Sequence, residues 1–268
     1  MDGKILFIGA GKMATAIAGG MARRNPEDKK RIVAFDPSPK AAAAFAAATG
    51  CAVYSDDVKP LAAGAGIILI AVKPQYLAAA LEPVRGLTAD KLIISIVAGA
   101  ELATLVELTG GSRVVRVMPN TPALVGEGVA VYACSGKLTA ADAAAVENIL
   151  GAVGRAFPGE ERWLNAVTGL SGSGPAYVLE FIMALADGGV REGLPRDLAL
   201  ELAIRTVIGS AKLAAESGLH PAVLRDQVIS PGGTTAAGVA ELDRCAFRSA
   251  VAEAVVAASR RSAELGKH

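Results

Sequence analysis

The sequence predicts an α/β protein: a doubly wound, mostly parallel sheet followed by an all-α region. Two observations predict it. Over roughly the first 160 residues short apolar runs alternate with helical patterns, which is how strands buried on both faces read when helices cover the sheet. After Trp163 the β-branched runs give way to long Ala, Leu and Glu patterns broken by Gly and Pro.

The expected strands are residues 4–8, 31–35, 51–54, 67–72, 92–97 and 113–117, with a further strand at 129–133. The alanine-rich stretch at 41–48 reads as a helix announced by Ser38-Pro39, and a second helix is expected from Thr139, a good N-cap, to 152. In the later region helices are expected at 175–191, 195–217, 222–227, 234–245 and 247–265, with Pro175 and Pro195 where a first turn tolerates proline. These readings divide the chain into domains at 1–160 and 161–268. Residues 198–213 are apolar on more than one face, more than a domain of about a hundred residues covers alone, so the second domain is expected to pair with a copy of itself.

Bulk composition narrows the function. The chain has 268 residues, 52% of them hydrophobic, ample for a real core. Lys plus Arg total 27 against 26 Asp plus Glu, so no basic field for nucleic acid is expected. Cys51, Cys134 and Cys245 lie far apart without a CxxC pair, which argues against a zinc site or disulfide framework and fits a reducing cytoplasm. No secretory signal is read at the N-terminus, and the longest apolar run, 61–72, falls well short of the roughly 20 residues of a membrane helix. Only His220 and His268 are present, so catalytic-histidine and metal mechanisms are not expected.

The first motif that carries chemistry is Gly9-Ala10-Gly11-Lys12-Met13-Ala14, a G-x-G-x-x-A loop between an expected strand and helix. Gly9 permits the tight turn, Gly11 lets a pyrophosphate approach the backbone, and Ala14 lets helix and strand pack closely, the Rossmann dinucleotide fingerprint. A tight turn with no ligand is the bland alternative. Asp36, ending the second strand, suits the ribose hydroxyls of NAD, whereas Ser38 and Lys40 offer a hydroxyl and a cation to a 2′-phosphate. Asp-Pro-Ser-Pro also reads simply as a turn and helix cap. Both NADPH and NADH stay open.

Two segments, Val72-Lys73-Pro74-Gln75 and residues 116–122, close strands at carboxyl ends, where open α/β sheets bind ligands. Further on, residues 168–177 and Ser230-Pro231-Gly232-Gly233-Thr234-Thr235 are glycine and hydroxyl loops that feed helix N-termini. An ordinary N-cap needs one hydroxyl. Pro-Gly-Gly-Thr-Thr goes further, stripping side chains from consecutive N–H groups as suits a carboxylate.

Taken together, the Gly9 loop, residues 72–75, Val97-Ala98-Gly99, residues 116–122, 171–177 and 230–235 resemble the pyrroline-5-carboxylate reductase family along nearly the whole chain. The resemblance implies a Rossmann domain, a helical domain that interlocks with a second subunit, and often a ring of five dimers. It implies that Ser230 and the Gly232, Gly233, Thr234 and Thr235 backbone hold the substrate carboxylate, and that Thr235 bonds the ring nitrogen as the catalytic group. Gly9, Gly11, Lys12, Met13, Asp36, Ser38 and Val72 would serve the cofactor, with Lys73, Pro74, Ala98 and Asn120 around the nicotinamide and its ribose. Asp36 departs from the hydroxyl or amide group common in the family, which leaves the usual preference for NADPH open for this chain.

The implied reaction moves a hydride from reduced nicotinamide to C5 of a cyclic imine, the protein orienting the partners and excluding water. A β-hydroxyacid dehydrogenase shares the two-domain plan but uses a helical lysine as general acid; here Lys212 sits in an Ala-rich helix without the flanking glycine and asparagine. A cofactor-binding sensor without turnover would have let the 230–235 loop degenerate.

Overall fold

The computed structural model describes residues 3–111, 113–136 and 138–266; Met1-Asp2 and His268 lie outside them. The chain begins with β1 (Lys4–Ile8), α1 (Lys12–Arg24), β2 (Ile32–Phe35), α2 (Pro39–Thr49), β3 (Ala52–Tyr54), α3 (Lys59–Gly64) and β4 (Ala65–Ile70). It continues with α4 (Leu77–Leu81), β5 (Leu92–Ser95), α5 (Leu102–Thr109), β6 (Arg113–Met118), β7 (Gly128–Cys134), α6 (Ala140–Leu150), β8 (Gly154–Pro158) and α7 (Leu164–Val167). Then come α8 (Gly174–Arg191), α9 (Arg196–Ser217), α10 (Pro221–Val228), α11 (Thr234–Arg244) and α12 (Phe247–Leu265).

The eight strands lie in the order β3-β2-β1-β4-β5-β6-β7-β8. The first six are parallel, β7 runs antiparallel to β6, and β8 is parallel to β7. Alternate residues of the parallel strands feed two cores. Ile5, Phe7, Leu69 and Ile94 belong to one, Leu6, Ile8, Ile70 and Ile93 to the other. Burial on both faces is why these strands read as unbroken apolar runs. Strand order reverses beside β1, where β2 and β4 flank it, so their carboxyl ends open a crevice of the kind that binds ligands in this class.

Local chemistry sets several element ends. Ser38 Oγ accepts from the Ala41 N–H at the start of α2, and Thr139 with Asp142 forms a capping box on α6. The expected strand at 67–72 lies instead at Ala65–Ile70, and that at 92–97 stops at Ser95. In both places the next N–H still joins the ladder, Ala71 to Ile8 O and Ile96 to Ile70 O, before the chain turns away into a loop. The helix expected to reach 152 ends at Leu150, and Pro195 is the N-cap of α9 rather than a first-turn residue. β8 was not expected; it is a partly exposed edge strand, Gly-Arg-Ala-Phe-Pro, without an apolar run.

The chain forms two compact units, one of residues up to Gly172 with those from Ala258 onward, the other Ser173–Ala257. In the first, the last turn of α12 rejoins the sheet domain: Ser262 Oγ donates to Asn165 Oδ1 at 2.8 Å, and a Cβ on Gly99 would stand 3.7 Å from Gly266 Cα. In the second, α8 and α9 pack through Ala186, Ala199 and Ala203, and the Phe181 and Phe247 rings lie 5.7 Å apart. Leu179, Leu198, Leu202, Ile208 and Leu213 of this unit are exposed, in keeping with the apolar excess expected of 198–213. No described helix is long and apolar enough to cross a membrane.

Candidate active site

The two glycines of the first loop differ in what demands them. Gly9 has φ +101°, donates its N–H to Phe35 O at 2.8 Å, and would put a Cβ 2.7 Å from Ala71 O. The fold itself requires glycine there. A Cβ on Gly11 meets nothing within 4 Å, yet Gly11 is the N-cap of α1 and, lacking a side chain, leaves its first turn without a side-chain cap. Its N–H groups and dipole end therefore suit an anion, and the residues present fit the pyrophosphate of a dinucleotide. Ala14 is fully buried, as close helix-to-strand packing requires, and Met13 packs against the same core rather than facing outward.

Asp36 is held by two backbone donors. Its Oδ2 accepts from the Ala10 N–H at 2.8 Å and its Oδ1 from the Ser38 N–H at 2.9 Å, so the carboxylate ties the glycine loop to the turn before α2. Hydrogen bonds to a charged acceptor are each worth about 1.5–3 kcal/mol. Beside it a cavity of 520 Å³ is lined by Gly11, Lys12, Thr15, Ser38, Lys40 and Leu124.

The other predicted cofactor positions follow the carboxyl ends of β4, β5 and β6. Val72 packs on the core, while Lys73 and Pro74 are exposed, Lys73 as N-cap of the turn Pro74–Tyr76. Ala98 is exposed beside Gly99, whose φ is +77°. Asn120 is buried, and its Oδ1 accepts from the Val129 N–H at 2.9 Å, so that whatever it donates goes through its amide nitrogen. Sequence reasoning missed Glu161. Its Oε1 accepts from the buried Arg116 guanidinium at 2.8 Å and from the Leu102 N–H at 2.7 Å, joining the end of β6 to the start of α5 just beyond the Ala98 loop. The residue lies 45 positions from Arg116, and no local pattern announces it. Within the glycine and hydroxyl stretch 168–177, residues Thr168–Gly172 form a π-helical turn, an irregularity enriched at functional sites, where a loop was expected.

In the second unit Ser230-Pro231-Gly232-Gly233 forms a tight turn with Gly232 at φ +69° and a Gly233 N–H to Ser230 O bond of 2.9 Å. Proline then glycine at the two central positions is the pairing a type II turn selects. The Ser230 hydroxyl lies over Gly233, where a Cβ would stand only 2.2 Å away, so a side chain at 233 would displace it. Gly233 is the N-cap of α11 and supplies no side-chain cap; Thr234 is exposed and Thr235 half-buried in the first turn. His220 is the N-cap of α10, its Nδ1 accepting from the Ala222 N–H at 3.2 Å, a structural use. Lys212 pairs with Glu216 at 3.7 Å on the exposed face of α9. Burial pushes the thiols of Cys51 and Cys134 and the Tyr132 phenol upward; these groups belong to core packing.

A family model described as pyrroline-5-carboxylate reductase dimerisation matches residues 161–265, and one described as NADP oxidoreductase, coenzyme F420-dependent, matches 4–99. The chain is 47% identical to a pyrroline-5-carboxylate reductase of Pisum sativum, over 97% of this chain and 94% of that one. It is 40% identical to the Escherichia coli (strain K12) protein of that name over the full length of both. Among solved structures it is similar to the Plasmodium falciparum pyrroline carboxylate reductase with NADP bound, at TM-score 0.87 and 35% identity, covering 99% of this chain and 98% of that one. The Coxiella burnetii pyrroline-5-carboxylate reductase gives TM-score 0.92 and 30% identity, covering 99% of each chain.

Proposed function

The chain belongs to the pyrroline-5-carboxylate reductase family, and on that premise we propose how its residues divide the work of an NAD(P)H-dependent imine reductase. The enzyme reduces 1-pyrroline-5-carboxylate at C5 to give L-proline, the last step of proline biosynthesis. Residues 1–160 hold the cofactor, and 161–268 bind the substrate and pair two copies, with a ring of five such dimers as the larger assembly. When bound, the reduced nicotinamide supplies the hydride.

The observation that carries the reading is agreement along the full length with relatives of this name, joined to an α11 N-terminus bare of side-chain caps. Ser230 and the N–H groups following Gly233 and Thr234 hold the substrate carboxylate, which takes the place of a capping side chain. Thr235 contacts the ring nitrogen. An iminium N–H donates to its Oγ1; a neutral imine nitrogen accepts from the hydroxyl, which relays a proton from water. Hydride adds at C5, the C=N π pair moves to nitrogen, and the nitrogen keeps its proton as a secondary amine. Lys73, Pro74 and Ala98 border the nicotinamide and its ribose. Asn120, its oxygen committed to β7, faces the cofactor as a donor through its amide nitrogen.

The decisive experiment follows oxidation of NADH and of NADPH, as loss of the dihydronicotinamide absorbance, on adding pyrroline-5-carboxylate. Substrate-dependent oxidation with at least one cofactor is expected. No oxidation with either overturns the reading.

A further inference from the structure

We propose that Asp36 makes this enzyme prefer a cofactor with a free 2′-hydroxyl, NADH, over one with a 2′-phosphate, an inference that rests on unit 1 being the cofactor domain. The argument concerns which donors the turn before α2 has left. A 2′-phosphate beside the end of β2 needs N–H groups and cations; a 2′-hydroxyl needs an acceptor.

Along residues 37–41 the backbone donors are largely spent, although the Ser38 hydroxyl, an acceptor here, keeps its own proton to give. Pro37 and Pro39 have no N–H. The Ser38 N–H is given to Asp36 Oδ1 at 2.9 Å, and the Ala41 N–H to Ser38 Oγ at 3.4 Å. Lys40 alone of the five keeps an N–H outside these bonds. The Asp36 carboxylate thus already occupies, as a built-in anion, the backbone position a phosphate would use. Nor does it swing aside freely, because Oδ2 also holds the Ala10 N–H at 2.8 Å, inside the glycine loop itself. Turning it away to admit a phosphate would strip one partner from each of two backbone N–H groups and loosen the loop that faces the pyrophosphate.

With two oxygens and about four acceptor positions, the pinned carboxylate still has lone pairs to offer ribose hydroxyls. Against this stand Lys12 and Lys40, both exposed cations on the 520 Å³ cavity. Solvent screens exposed charges strongly, whereas Asp36 is partly buried and fixed. The lysines therefore soften the discrimination without reversing it.

Titration calorimetry of the intact protein with NADH and NADPH, without substrate, tests this apart from turnover. Wild type is expected to bind NADH about tenfold or more tightly than NADPH, and 5′-AMP more tightly than adenosine 2′,5′-bisphosphate, which adds a 2′-phosphate beside the Asp36 carboxylate. Asp36→Ser should narrow or invert the ratio, and Lys40→Ala should weaken NADPH while leaving NADH within about twofold. Should Asp36→Ser fail to fold, the wild-type ratios decide alone. Equal or tighter NADPH binding by wild type overturns the assignment of Asp36 while leaving the cofactor reading intact. Failure of both dinucleotides to bind overturns both.

Discussion

The two units solve the burial problem in opposite ways. In the sheet unit the side chains of Phe7, Phe45, Leu69 and Ile70 are completely enclosed, and two cores sandwich the strands. In the helical unit the enclosed apolar residues are Ala186, Ala199 and Ala203, while Leu179, Leu198, Leu202 and Leu213 stand in solvent. Small residues let α8 and α9 approach, but alanines bury little area, at about 25 cal/mol for each Å² of apolar surface. The difference teaches that the sheet unit completes its own core. The helical unit, lying within the segment matched by a dimerisation family model, leaves large apolar side chains in solvent, which on the proposed reading a second copy covers.

On the proposed reading the same division separates catalysis from cofactor binding, and the largest expected effect breaks it there. Thr235→Ala should lower kcat by about 10²-fold or more, the range general acid–base help supplies, while the Kd of the cofactor changes less than about twofold. Steady-state kinetics beside calorimetry reads both; an unchanged kcat removes Thr235 from the chemistry. Next, Leu69→Ala should cost about 2–5 kcal/mol of sheet-unit stability at any protein concentration, because it opens a cavity in a closed core. Leu198→Ala should instead act through association, its loss visible in denaturant melts that shift with protein concentration. A concentration-independent Leu198→Ala effect would mean that the helical unit covers this residue itself.

A sharper contrast lies inside one loop. Gly9→Ala should destabilise the fold by about 1–3 kcal/mol, the cost of a left-handed residue forced against a carbonyl. Gly11→Ala should leave the melting temperature nearly unchanged and weaken dinucleotide binding instead. Equal stability losses at the two positions would erase the distinction between a glycine the fold needs and one the ligand needs.

The smallest effect concerns Cys51, buried in the sheet unit, whose thiol is pushed up from 9.0 by burial. Above pH 9.0 the unfolded chain releases this proton while the folded chain retains it, so stability falls as pH rises toward the folded value. The slope from one such group is at most about 1.4 kcal/mol per pH unit. Cys51→Ala should flatten the alkaline decline in urea midpoints by that fraction, whereas it should leave the midpoint's pH dependence below neutrality untouched.

Much of this was legible in residue order. Strands buried on both faces read as apolar runs, and Ser38, Thr139 and the Pro231-Gly232 pair announced the caps and turn that the structure contains. The edge strand β8 lacked such a run because solvent reaches it. Residue order also announced Gly9 and Gly11 as one motif, since a pattern of glycines does not say which of them the fold demands. Only the tertiary structure separated them, by bringing Ala71 O up to Gly9 and nothing up to Gly11.

What the sequence determined by itself therefore lies within a few residues along the chain: periodicity, caps, turns and the family to which the ordered motifs belong. Tertiary structure decided the reversal of β7, the tie from Asp36 to the Ala10 N–H 26 residues away, and the clasp of Glu161 on Arg116. The physical reason is range. Caps and turns depend on dihedral preferences and hydrogen bonds among near neighbours, whereas these contacts exist only because the folded sheet brings segments distant in sequence side by side.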